Sequence, residues 1–194
     1  MPRRSAKRSG PVAGSVLGLA LTAGLLGVVL VVVWAANALS GIAPASIRQL
    51  ELSGVDRLDD AQLHNARTII AIGRGADMPD SAVVIALMTA LQESSLRNLD
   101  YGDRDSLGLF QQRPSQGWGS PEQVTDPIWA AKSFYGVNPD GVNPGLRQIS
   151  GWQRMTPTEA AQAVQRSAYP NAYAKWQDLA EELIRTQTAI TPIS

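Results

Sequence analysis

Residues 12–36 are predominantly apolar and uncharged, and this run constrains the chain's architecture more than any other segment. About 25 residues rising about 1.5 Å each make a helix of roughly 37 Å, enough to cross the hydrocarbon core of a bilayer. No face of the run is polar, which sets it apart from the half-buried helix of a soluble domain. Arg3, Arg4, Lys7 and Arg8 precede it with no acid among them. That asymmetry predicts a cytoplasmic N-terminus and an extracellular C-terminal domain. Ala36-Asn37-Ala38 has the small-x-small form of a signal cleavage site, but a signal peptide's apolar region is only about 7–15 residues. A retained single-pass anchor is therefore expected. The division that follows is a basic tail at 1–11, a transmembrane anchor at 12–36, a linker at 37–56, a folded domain at 57–188 and a short tail at 189–194.

The charge divides in the same region. The first 50 residues carry five basic and no acidic side chains, and the remainder carries 12 basic against 17 acidic, a net −5. A net-negative domain argues against nonspecific nucleic-acid binding, which depends on lysine and arginine neutralising phosphates. The chain has no cysteine and one histidine. Disulfides, thiolate ligands and a thiol nucleophile are excluded, and a zinc site is disfavoured. His64 lies in a polar stretch and reads as a surface residue.

The soluble part reads as mostly α-helical, with about 140 residues to build one core. Asp59 or Asp60 caps a helix through about Arg74, with Leu63, Ala66, Ile69, Ile70 and Gly73 at helical spacing. Gly73, Gly75 and Met78-Pro79 are expected to break it. Asp80 then caps a helix from Ser81 to about Ser95, with Val83, Val84, Leu87, Met88 and Leu91 toward a core. Residues 97–120 look loop-like, with at most a short strand near Leu107–Gln112. Asp126-Pro127 is a cap followed by proline at the first helical position and opens a helix to about Tyr135. Residues 146–152 suggest a short helix. Thr156-Pro157 repeats the cap-proline signature, and Glu159 completes a capping box for a helix to about Ser167. A last helix runs from beyond Pro170 to about Thr186, with Tyr173 and Trp176 on its apolar side.

Glu93 falls in the last turn of the Asp80-capped helix. It is a lone carboxylate beside apolar surface, facing the negative end of the helix dipole, and both conditions favour the protonated acid. A polar, glycine-rich stretch follows, then the apolar phrase Gly108-Leu109-Phe110-Gln111. An acid kept protonated near neutral pH is what the protonation of a glycosidic oxygen requires. Three further carboxylates, Asp100, Asp103 and Asp105, lie between the two segments and are candidates for a second acid. They do not complete an EF-hand pattern.

Glu93-Ser94, a polar gap, and Ser106-Leu107-Gly108-Leu109-Phe110-Gln111 together resemble the lysozyme-like superfamily. The resemblance is specifically to soluble lytic transglycosylases and goose-type lysozymes, where a catalytic Glu-Ser is followed some fifteen residues later by Gly-Leu-x-Gln. The phrase Gln165-Arg166-Ser167-Ala168-Tyr169-Pro170 extends the resemblance to small membrane-anchored actinobacterial members, and about residues 60–185 are covered. The resemblance implies a lysozyme-like helical domain that cleaves the β-1,4 bond between N-acetylmuramic acid and N-acetylglucosamine in the cell wall, without a cofactor. Glu93 would be general acid and then base on the muramoyl 6-hydroxyl, giving a 1,6-anhydro product. A hydrolytic muramidase of the same fold and a catalytically silent glycan-binding scaffold are the alternatives. Association with envelope or secretion machinery is a further option.

Several other residues are candidates around Glu93. Ser94 is expected to hydrogen-bond locally and support Glu93. Gln111 either contacts a sugar's acetamido group or ties down its loop, and Phe110 packs in the core. Tyr101 and Trp118 are candidates to line a saccharide groove, because aromatic faces pack on the apolar faces of sugars. Tyr169 matches roughly a tyrosine that sits near the catalytic Glu in the family, although the family's Tyr-Asn-Ala-Gly is here Tyr169-Pro170-Asn171-Ala172. Tyr173 and Trp176 read as core residues.

Overall fold

A computed structural model describes residues 54–167 and 171–194, and these are mostly α-helical. The expected anchor at 12–36, most of the 37–56 linker and Tyr169 lie outside the described residues. Among the described residues no helix is long and apolar enough to cross a membrane. The expected strand near 107–112 is a single antiparallel bridge, in which Leu107 and Gln112 exchange two backbone hydrogen bonds of 3.0 Å.

Among the described residues six α-helices form where the local signals ask for them, with a few instructive departures. Helix α1, Asp60–Gly75, starts at a full capping box: the Asp59 carboxylate accepts from Gln62 N, and the Gln62 side chain accepts from Asp59 N. Gly73 does not break α1. It is buried where a β-carbon would press on the Tyr135 hydroxyl and Val83, so the glycine lets neighbouring elements approach closely. Helix α2 is Asp80–Ser94, and its N-cap is Pro79 rather than Asp80. Asp80 is the first helical residue, where its charge faces the positive end of the dipole.

Helix α2 also departs from the one-sided apolar pattern expected of it. Every residue from Ala82 to Leu91 is buried, which makes α2 the central helix of the domain. Helix α1 packs on α2, and so do two later helices, α5 at Pro157–Gln165 and α6 at Gln177–Thr186. The one polar side chain in that buried run, Thr89, returns its hydroxyl to Ile85 O at 2.7 Å. A buried hydroxyl without such a partner costs about 1–3 kcal/mol.

Helix α3, Pro121–Val124, has no counterpart in the sequence reading, although Ser120 and Gln123 give it a capping box. Helix α4, Pro127–Tyr135, is capped by Asp126 and ends at Gly136, whose φ of 74° is left-handed. Residues 146–152 form two 3-10 turns, Leu146–Gln148 and Trp152–Arg154, in place of the expected short helix. Helix α5, Pro157–Gln165, follows the Thr156–Glu159 box and ends at Arg166. Helix α6, Gln177–Thr186, is entered through a 3-10 turn at Ala174–Trp176. The terminal residues return to α1, where Ile193 N donates to Ala71 O at 3.0 Å.

Candidate active site

Glu93 closes the central helix at a strained end. Ser95 and Leu96 follow it with φ of 53° and 60°, two consecutive non-glycine residues in the left-handed region. Each costs about 1–2 kcal/mol and persists only where neighbours over-determine it. Helix α1 supplies those neighbours. Buried Gln62 donates to Ser95 O and buried Asn65 donates to Leu96 O, each at 2.8 Å. The Gln62 amide thereby serves two positions, the start of α1 and the end of α2.

Ser94 joins this helix end to the downstream phrase. Its hydroxyl lies 3.0 Å from Ala90 O and 2.8 Å from Leu109 O, so it hydrogen-bonds locally and ties the helix end to the phrase. The phrase itself has a clear physical logic. Gly108 has φ 74°, and a β-carbon there would strike the Val124 carbonyl oxygen. Leu109 and Phe110 are fully buried, and Phe110 stacks on Phe134 with ring centroids 4.7 Å apart. Gln111, at φ 48°, donates to the carbonyls of Tyr101 and Gly108 at 3.3 Å, which ties down the loop.

Glu93 is half-buried, and the Tyr173 hydroxyl donates to its Oε1 at 2.9 Å. Burial pushes the Glu93 carboxyl above its ordinary value, and hydrogen bonds from Tyr173 and Gln165 draw it partly back. No other acid contributes to that balance. Burial, then the Glu93 charge, raise the Tyr173 phenol in turn, so Tyr173 remains a donor. Gln165 is anchored by donating to Phe110 O at 2.8 Å. Beside Glu93 in the helix, Gln92 accepts the Trp176 indole N–H at 3.0 Å and pins the entry to α6.

Gln165 also belongs to a polar groove of ≈ 230 Å³. Gln111, Arg113, Trp118, Asn143 and Arg166 line the same groove, and among the described residues no acidic side chain does. Asn143 donates to Gln116 O at 2.9 Å, which joins two of the groove's lining residues. No family model matches this chain, and no curated protein matches it either.

The remaining sequence candidates separate clearly. Trp118 is half-buried on the groove wall, and its carbonyl accepts the Trp129 indole N–H at 3.2 Å. Tyr101 is 67% exposed and does not line the groove. Asp100 is exposed, and Asp103 is exposed beside Arg104 at 4.0 Å. Asp105 uses one carboxylate oxygen on Arg113 Nε at 2.7 Å and the other on Ser115 N at 2.8 Å. Hydrogen bonds from Ser115 and Arg113 hold it well below the usual carboxylate range. Among the described residues, none of these three acids hydrogen-bonds to Glu93, and no cluster of His, Asp or Glu could hold a metal.

Sequence reasoning missed Tyr173, Gln165, Gln62 and Asn65. Tyr173 is the core residue the helical spacing suggests, with no exposed surface, and it also reaches the acid. Nothing in a spacing pattern shows where a buried hydroxyl points. Gln165 carried a usable signal, since it opens the Gln165–Pro170 phrase.

Proposed function

We propose that this domain has a lysozyme-like fold and cleaves the β-1,4 bonds of cell-wall glycan strands as a lytic transglycosylase, held at the outer membrane face by the 12–36 anchor. One observation carries the reading. A half-buried glutamate with a raised pKa is held by a phenol and by Gln165, an amide that also lines an amide-rich groove. Burial favours the protonated form of Glu93, and groove amides suit the acetamido groups of the sugars.

In the first step the Glu93 proton passes to the glycosidic oxygen as the C1–O bond breaks, leaving positive charge on the sugar ring. The leaving strand departs with that proton. Glu93 is now a carboxylate, which Tyr173 and Gln165 stabilise by hydrogen bonding. It removes the proton of the muramoyl 6-hydroxyl, whose oxygen closes on C1 to form the 1,6-anhydro ring. The acid is restored, and no water is consumed.

A hydrolase of the usual two-carboxylate type needs a second acid across the scissile bond. Asp105 is occupied by Arg113 and Ser115, and no second acid perturbs Glu93. Both facts favour the transglycosylase over the muramidase. Mass analysis of digested peptidoglycan decides between them, because anhydro ends are one water lighter than hydrolytic ends. Glu93→Gln, which keeps the shape and removes the titrating proton, is expected to abolish cleavage. Retained cleavage in that variant would overturn the mechanism, and a wild-type protein that binds glycan without cutting it would be the scaffold.

A further inference from the structure

The groove beside Glu93 is basic although the domain around it is net negative. Two arginines and five side-chain amides line it with no acid. The arginines are not equivalent. Arg113 is neutralised by Asp105 at 2.7 Å. Arg166 makes no side-chain hydrogen bond or ion pair among the described residues.

Arg166 is held in place by its backbone. Its φ of 52° is left-handed, and the turn is fixed on both sides by one residue. Arg166 N donates to Gln162 O at 2.8 Å, and the Gln162 side chain donates to Ser167 O at 2.7 Å. The residue before it, Gln165, hydrogen-bonds to Glu93. An unpaired guanidinium thus sits one residue from a group that holds the acid. A planar guanidinium with free N–H donors is suited to a carboxylate, which it can bind through two parallel bonds.

We propose that Arg166 forms an anion subsite that takes a carboxylate carried by the sugar next to the scissile bond, so that acidic glycans are preferred over uncharged ones. The inference rests on the glycan-cleaving reading of Glu93. Two sources offer the same chemistry: the lactyl ether carboxylate of a muramic acid, and a carboxylate of a peptide attached to it.

Binding to the full chain carrying Glu93→Gln separates the possibilities, read by tryptophan fluorescence because Trp118 lines the groove. Three tetrasaccharides serve as probes: one of N-acetylglucosamine only, one alternating with muramic acid bearing its free lactyl carboxylate, and one bearing the peptide. At least one acidic probe should bind about three- to tenfold tighter than the neutral one, the range for a partly exposed charge-assisted pair. The acidic probe that shows the preference identifies the source. Adding Arg166→Gln should erase the preference by weakening the acidic probe more than the neutral one, and Arg166→Lys should restore part of it. Raising salt from about 0.05 M to about 0.5 M should shrink the preference. Equal affinity for all three probes, an equal loss on all three in Arg166→Gln, or no binding to any of them overturns the proposal. A binding preference in a protein that cuts no glycan would leave the subsite standing and remove the catalytic role of Glu93.

Discussion

Tyr173→Phe removes one hydroxyl and leaves the ring that fills the core. That hydroxyl donates to Glu93 Oε1 at 2.9 Å and stabilises the ionised acid. A hydrogen bond to a charged group contributes about 1.5–3 kcal/mol, and a neutral one about 0.5–1.5 kcal/mol. The difference, about 1–1.5 kcal/mol, is what the Tyr173 hydroxyl adds to the ionised acid over the protonated one. Burial already holds the folded Glu93 pKa above its unfolded value, so the folded state binds this proton more tightly. The stability Glu93 contributes is therefore complete below the unfolded pKa and is lost as pH rises through the folded pKa. Tyr173→Phe raises the folded value further and deepens that loss.

Urea unfolding of the full chain should show the variant destabilised by about 1 kcal/mol at a pH below the Glu93 titration and by about 2–2.5 kcal/mol at a pH above it. In a Glu93→Gln background the pH dependence of that cost should vanish. In activity, the alkaline limb of kcat/KM, which reports the protonated acid of the free enzyme, should move to higher pH. A cost that is the same at both pH values, or a limb that moves down, would refute this account of how Tyr173 acts on Glu93.

Two further substitutions test the frame that presents the acid. Asn65→Ala leaves the buried Leu96 carbonyl without its partner and should cost about 1–3 kcal/mol in chemical denaturation; a loss under about 0.5 kcal/mol would mean the left-handed helix end does not depend on α1. Gly108→Ala combines a left-handed φ with a collision against Val124 O, whereas Gly117→Ala has φ 82° but no atom nearer than 3.8 Å to the added carbon. Gly117→Ala should therefore cost about 1–2 kcal/mol from backbone conformation alone. Gly108→Ala should cost clearly more, and equal melting temperatures for the two variants would contradict the close approach.

The helix starts were legible because capping is chemistry within three residues. Asp59 with Gln62, Asp126 before Pro127, and Thr156 with Glu159 each satisfy orphan N–H groups by local geometry alone. Asp80 misled because Pro79 already supplies the extended residue that an N-cap needs, which moves Asp80 one place into the helix. Helix α2 was legible as a helix but not as the central one. Burial on all sides depends on where α1, α5 and α6 dock, and no period within α2 encodes that.

For the site, Glu93, Ser94 and the Gly108–Gln111 phrase stood out in the chain as residue types suited to acid chemistry beside a tight turn. What makes Glu93 a poised acid came only with the tertiary structure. Its phenol partner is 80 residues away, the clamps on the strained turn that follows it come from over 30 residues upstream, and Gln165 joins it to the groove. A pKa depends on what desolvates a group and what donates to it. Those neighbours are set by packing between helices, whereas the sequence by itself determined only the caps, the acid and the turn.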